Sequence, residues 1–261
     1  MTAPHLLDRI GLAPGTQRLV RDLESRYDTH FSHLVHFTAQ ELSALHAPGP
    51  LPPNVRTASA ANPEVAQRME TVTDVANLPL QRSADRDRYF QALMDIYGML
   101  PVRAADLASR PDTAVVAPER EGRILAEALG CPPEGRYWSP QAKRVHLDRG
   151  LLVGVDDRLP RQAERLVVID GVVASGVTLM AIAQLAARPG AVVDILTCHS
   201  TRQGALALTR CAERLGIALT LHVGHISGTL NHKFYAVDPD APDQLILGDV
   251  GDTISPRKTT T

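Results

Sequence analysis

The sequence predicts an α/β fold, a parallel sheet core with a helical N-terminal extension. Three observations point there. Several segments, among them Leu166-Val-Val-Ile169 and Ala191-Val-Val-Asp-Ile-Leu-Thr197, are nearly continuous apolar runs, the pattern of strands buried on both faces. Between them lie segments whose apolar residues fall three and four apart, the helical period. The two kinds alternate after Pro111, and such alternation covers a parallel sheet with helices on both sides.

In chain order, residues 15–46 read as helix with a break near Thr29, because Leu19, Leu23, Tyr27, Phe31 and Leu34 recur at helical spacing. His30, His33 and His36 fall in this stretch. No carboxylate or thiolate spacing completes a ligand set, so they read as one part of an amphipathic helix rather than a metal site. Residues 47–63 carry five prolines and read as an irregular connector. Helices follow from Glu64 to about Val75 and from Asp85 to about Leu100. Beyond Pro111, strands are expected at Ala114–Ala117, Gly150–Val155, Arg165–Asp170, Ala191–Thr197 and Ile217–Val223, with helices at about Arg123–Leu129, Thr178–Ala187 and Gly204–Leu215. The chain thus divides into a helical extension and connector over 1–80, a core domain over 81–255 and a tail over 256–261, where fraying is expected.

Composition excludes whole classes of partner. Lys and Arg total 27 against 29 Asp and Glu, a formal net charge of -2. That balance argues against a broad phosphate-neutralising face for nucleic acid and against a polybasic membrane surface. Aromatics at 4% leave little for a base-stacking platform. The apolar stretch 166–187 is interrupted by Asp170, Gly171, Ser175 and Gly176, so it reads as strand, loop and helix instead of a membrane span. Cys131, Cys198 and Cys211 are too scattered for a disulfide framework or a thiolate zinc site. With a start that lacks a basic stretch and apolar core, they lead to the expectation of a reducing, cytoplasmic setting.

The most informative segment is Leu166-Val-Val-Ile-Asp-Gly-Val-Val-Ala-Ser-Gly-Val-Thr178. A buried strand ends in the carboxylate of Asp170. Four residues later the small residues Ala174, Ser175 and Gly176 open a helix. A helix N-terminus leaves N–H groups unpaired and carries partial positive charge, small residues let a phosphate approach the backbone, and Ser175 and Thr178 add hydroxyls. The same residues also suit an ordinary strand-to-helix turn with an N-capping hydroxyl. No Lys follows Gly176, so this is not an ATP-type loop, and the glycine spacing is not that of a dinucleotide fingerprint.

Asp170-Gly-Val-Val-Ala-Ser-Gly-Val-Thr178 resembles the phosphoribosyl diphosphate (PRPP) loop of type I phosphoribosyltransferases, most of all the uracil branch, with its Asp-Pro-Met-x-Ala-Thr-Gly-Gly-Thr/Ser. Three further pieces resemble that branch in the same order. Val115-Val-Ala-Pro-Glu-Arg-Glu-Gly-Arg123 is similar to its diphosphate loop, Gly228-Thr-Leu-Asn-His-Lys-Phe-Tyr235 to its Gly-Leu-Asn-x-x-Gly-Tyr segment, and Gly248-Asp-Val-Gly-Asp252 to its Gly-Asp-Ala-Gly-Asp signature. The likeness spans residues 85–254.

The resemblance implies the roles. Ala174, Ser175, Gly176, Val177 and Thr178 cradle the 5-phosphate, and Asp170 holds the ribose and favours positive charge at the anomeric carbon. Arg120 and Gly122 hold the leaving diphosphate. Tyr235, Ile246, Leu247 and Gly248 form the base side. Asp249 approaches PRPP, and Asp249 and Asp252 approach a Mg2+ ion bound mainly through PRPP. Lys143, Arg144 and Arg149 lie where the family has a mobile hood; a solvated basic hairpin is the other reading. Implied too are transfer of phosphoribosyl to a ring nitrogen of uracil or a related pyrimidine-like heterocycle, release of diphosphate through an oxocarbenium-like state, and a homodimer or higher homo-oligomer. The alternative is a non-catalytic regulator sensing PRPP or a nucleotide on the same fold.

Some positions depart from the family pattern. Gly171 replaces Pro and Ser175 replaces Thr. The Pro-Gly ahead of the Gly-Asp signature is missing, and Thr253 stands where Arg is common. Glu119 and Glu121 flank Arg120, and carboxylates there repel diphosphate unless they turn away or pair with Arg123. His199, His222 and His225 read either as substrate contacts or as loop and capping residues. Trp138 lies in the hood region, and Cys198 and Cys211 read as small core groups.

Overall fold

The computed structural model describes residues 12–78, 82–119, 121–131 and 137–247. Arg120, Gly248, Asp249, Asp252 and the tail 256–261 lie outside the described residues.

The N-terminal part is not purely helical. Helix α1 (Pro14–Tyr27) starts with Pro in its first turn and ends at Asp28, which takes a left-handed conformation. Strand β1 (His33–Thr38) follows in place of the expected helix. Its Val35 and Phe37 are buried while His36 and Thr38 are exposed, which is the two-residue period of a half-buried strand. Phe31 and Leu34 mimic the helical spacing, but pairing with a distant strand decides the conformation. Thr38 then caps helix α2 (Ala39–Leu45), accepting from the Glu41 N–H while Glu41 accepts from the Thr38 N–H. The connector is irregular apart from a short helical turn and strand β2 (Val55–Thr57). Helices α3 (Glu64–Ala76) and α4 (Ser83–Gly98) form as expected, and the short α5 (Ala104–Ala108) follows them.

The central region alternates strand and helix. It runs through β3 (Thr113–Val116), α6 (Glu121–Ala128), β4 (Tyr137–Trp138), β5 (Ala142–Leu147), β6 (Gly150–Val155), β7 (Ala163–Ile169) and β8 (Val172–Val173). Helix α7 (Val177–Ala186), β9 (Ala187–Ser200), α8 (Arg202–Leu215) and β10 (Ala218–Ile226) complete it. The last strands are β11 (Thr229–Leu230), β12 (Ala236–Asp238) and β13 (Ala241–Leu245).

A parallel sheet in the order β2-β10-β9-β7-β3-β4, with β8 beside β9, forms the core. The pleat sends alternate residues to opposite faces. Ala114, Val116, Leu166 and Val168 pack under α7 and α8. Val115, Val167 and Ile169 pack under α3, α4, α5 and α6. Two smaller sheets flank it, β1-β6-β5 and β11-β12-β13. The run Gly150–Val155 therefore belongs to an antiparallel sheet and not to the parallel core. It is fully apolar because one face meets the α7 side of the core and the other meets Val20 and Phe31.

This topology positions the site. The helix after β3 covers one face of the sheet and the helix after β7 covers the other, while β3 and β7 are neighbours. The loops leaving their carboxyl ends diverge, and such a crevice is where parallel sheets bind ligands.

Close packing of α8 against the loop after β7 makes a steric prediction. A Cβ on Gly204 would stand 2.2 Å from the Ala174 carbonyl oxygen and 2.8 Å from that of Val173. Gly204→Ala is expected to destabilise the fold by roughly 2 kcal/mol. Urea unfolding measures this; wild-type stability in the variant contradicts the packing.

Candidate active site

The loop after β7 is built by disposing of its carbonyls. Val173 O accepts from the Thr201 N–H at 3.0 Å and Ala174 O from the Thr201 hydroxyl at 2.6 Å. Ser175 O lies 2.9 Å from Nε2 of His46, and Gly176 O accepts from the Met180 N–H at 2.8 Å. Gly176 adopts φ 74°, which favours a residue without Cβ. Helix α7 begins at Val177 with no side-chain cap from its N-cap residue, Gly176, so its first-turn amides other than that of Val177 remain available to an anion. The capping role expected for Ser175 is weak: its Oγ is buried and accepts from the Val177 N–H at 3.4 Å.

Asp170 ends β7 beneath this loop, 9% exposed. Its N–H donates to Leu196 O and its carbonyl accepts from the Tyr97 hydroxyl at 2.8 Å. Its carboxylate accepts from the Gly171 N–H at 3.1 Å. Burial, and after it the Glu121 carboxylate, push the Asp170 carboxyl well above the usual carboxylate range; the Gly171 N–H and the Arg144 cation pull the other way. Positive charge arriving here is therefore favoured. Tyr97 holds the backbone from α4, a contact that helical spacing alone does not signal.

The loop after β3 lies alongside. Gly122 sits in the first turn of α6, where a Cβ would meet Ile169 O at 2.9 Å, so a side chain there would drive the helix off the end of β7. The two glutamates separate. Glu119 turns to an ion pair with Arg158, which also pairs with Asp156. Burial raises its pKa, but hydrogen bonds from Arg158 and Gln141 outweigh that and hold it below the usual range. Arg123 pairs instead with Glu127 at 2.9 Å. Glu121 is the one whose charge acts on Asp170.

The basic hairpin is docked as a sheet. Residues 142–147 of β5 pair with β6, and β1 pairs along the other side of β6. Lys143 stands over the Tyr27 ring at 4.4 Å, and Arg144 over the Tyr235 ring at 5.1 Å. Arg144 also donates to Phe234 O at 3.4 Å, and the Arg149 carbonyl accepts from the Ala39 N–H. Arg144 thus links the base-side segment with the neighbourhood of Asp170.

In the segments expected to form the base side, Tyr235 is exposed, while Ile246 and Leu247 are buried. The Ile246 N–H donates to Ala236 O and Leu247 O accepts from the Tyr89 hydroxyl, so these main-chain groups already have partners. His199 and His222 are strand residues, not loop caps: His199 Nε2 lies 3.0 Å from the Ser227 hydroxyl and His222 Nε2 lies 2.9 Å from Asp194. Burial, with help from His225, lowers His199 to about 3, so it stays neutral. Cys131, Cys198 and Cys211 are buried free thiols. Among the described residues, no helix is long and apolar enough to cross a membrane.

No protein-family model and no curated protein matches the chain. Solved structures show partial likeness. The AQ2163 protein of Aquifex aeolicus has TM-score 0.48 and 19% identity, covering 75% of this chain and 95% of its own. Adenine phosphoribosyltransferase of Trypanosoma brucei has TM-score 0.41 and 14% identity, covering 72% and 93%. The Giardia lamblia enzyme of that kind has TM-score 0.36 and 17% identity, covering 57% and 88%. At such scores no chemistry transfers from them.

The electrostatics of Asp170 have a measurable sign. A carboxyl raised in the folded state keeps its proton where the unfolded chain has lost it, so stability falls as pH rises above about 4 toward the folded pKa. Asp170→Asn keeps the acceptor for the Gly171 N–H and removes the charge. It is expected to stabilise the free protein by roughly 1–2 kcal/mol at pH 8 and by less at pH 5. Denaturant melts at both pH values decide it; a variant less stable than wild type at pH 8 contradicts the assignment.

Proposed function

We propose that this chain is a magnesium-dependent phosphoribosyltransferase that displaces diphosphate from PRPP with a ring nitrogen of a heterocyclic base. The observation that carries the reading is the crevice between β3 and β7. It joins a loop with bonded carbonyls, an uncapped helix N-terminus and a buried carboxyl that favours incoming positive charge. These are what a sugar phosphate with a cationic transition state needs, and the motif around Asp170 resembles the loop that binds one.

In this reading the amides of 175–178 and the Thr178 hydroxyl bind the 5-phosphate. As the bond from the anomeric carbon to diphosphate oxygen breaks, Asp170 gains the positive partner that its burial denies it in the free protein. Arg120 neutralises the leaving diphosphate, and α6 approaches closely because residue 122 is Gly. Among the described residues no group of three or more metal-ligating side chains converges, so magnesium would be held mainly through PRPP, with Asp249 and Asp252 as the protein candidates. Magnesium bound through PRPP supplies charge neutralisation of the diphosphate. The docked hairpin, with Lys143 and Arg144, excludes water from the displacement.

The acceptor is uracil or a related pyrimidine-like heterocycle, on the resemblance of Gly228–Tyr235 and Gly248–Asp252. Purines, the other class of nucleobase, are included in the test. Protein, PRPP and magnesium are mixed with a panel of pyrimidines and purines, and diphosphate release and product mass are followed. Release that depends on a base is expected, with Asp170→Asn slower by ten- to a thousandfold, order-of-magnitude. Tight PRPP binding with no turnover on any base would instead identify a PRPP-sensing regulator.

A further inference from the structure

The N-terminal segment reaches the phosphate loop through one side chain. We infer that His46 is a positioning residue of that loop, fixing the Ser175 carbonyl so that the following amides stay open to phosphate. Its effect on PRPP rests on the phosphoribosyl reading; the positioning itself does not.

His46 follows the last turn of α2. Its Nδ1 lies 2.8 Å from Leu42 O and its Nε2 lies 2.9 Å from Ser175 O. Both oxygens are carbonyls and only accept, so the ring is the donor in any hydrogen bond it makes to them. The Leu42 contact orients the ring on its own helix, and the Ser175 contact spends that orientation on the loop. In a planar trans peptide the C=O and the next N–H point in opposite directions. Holding Ser175 O against His46 therefore aims the Gly176 N–H away from it. Thr201 does the same for the preceding peptide through Ala174 O.

His46 is itself held by the helix that supports the loop. Arg210 on α8 donates to Leu45 O at 2.7 Å and Ala47 O at 2.6 Å, the carbonyls on either side of His46. Arg202, in the first turn of α8, donates through two nitrogens to Gly49 O. Thr201, the N-cap of that helix, grips the loop. One rigid helix thus sets the spacing between the loop and the segment that carries His46. The Phe234 ring adds a third wall, tilted against His46 with centroids 5.7 Å apart and stacked near His146 at 6.3 Å. The segment expected to form the base side and the basic hairpin both meet at this ring.

The test uses the full chain and two variants, His46→Ala and His46→Gln, whose side-chain amide restores one donor. Hydrogen exchange of the Met180 amide, which donates to Gly176 O, is measured first without ligand. His46→Ala is expected to exchange about tenfold faster there, with α8 unchanged, and His46→Gln to recover most of the protection. Mg–PRPP titration and initial rates follow. His46→Ala is expected to raise Kd and KM for PRPP five- to tenfold, on the order of one lost hydrogen bond, with kcat within twofold and recovery in His46→Gln. Folded His46→Ala with wild-type exchange at Met180 overturns the inference. So does a variant whose kcat falls while PRPP affinity holds. If wild type binds no PRPP, the phosphoribosyl reading fails, and the exchange comparison still decides the positioning role.

Discussion

A strand-to-helix turn that is to bind an anion must hide its carbonyls while leaving its amides unbonded. After β7 this is met with donors from two distant places. Thr201 supplies its N–H and hydroxyl to Val173 and Ala174, and His46 supplies a ring nitrogen to Ser175. Gly176 then turns the chain into α7 with positive φ and no cap. The rest of the site is arranged around this condition: α8 packs so closely that residue 204 has no room for a Cβ, and the proline-rich connector is fastened to α8 by two arginines.

The second constraint is electrostatic. Asp170 is buried at the end of a central strand with Glu121 as a neighbour, and its charged form is disfavoured. Such a group costs stability in the free protein, and groups of this kind concentrate where a ligand supplies the missing charge. Glu119, two residues before Glu121, is removed from the contest by Arg158. Two nearby carboxylates thus differ in their surroundings, one tied to Arg158 and the other acting on Asp170.

Much of this was legible in the sequence. The buried strands β3, β7, β9 and β10 and the helices after residue 64 follow from uninterrupted apolar runs and helical periodicity, which are local. The loop 170–178 was readable because small residues and a terminal carboxylate sit at fixed offsets from a strand end. Strand β1 was not, because Phe31 and Leu34 fit a helix locally, and only pairing with β6 selects the extended form. The same holds for β2, which adds a parallel strand from within a proline-rich connector. His46 carried no signal at all: a lone histidine after a short helix, 129 residues from its partner.

By itself the sequence determined the α/β class, the core strands β3, β7, β9 and β10 and the residue types that follow β7, because hydrophobic period and turn composition act over a few residues. Tertiary structure alone decided that the N-terminal segment joins two of the three sheets, that Glu119 and Glu121 part company, and that His46, Thr201 and Arg210 hold the loop. These outcomes depend on hydrogen bonds and ion pairs between segments far apart in the chain, whose partners are chosen by packing geometry and not by local pattern.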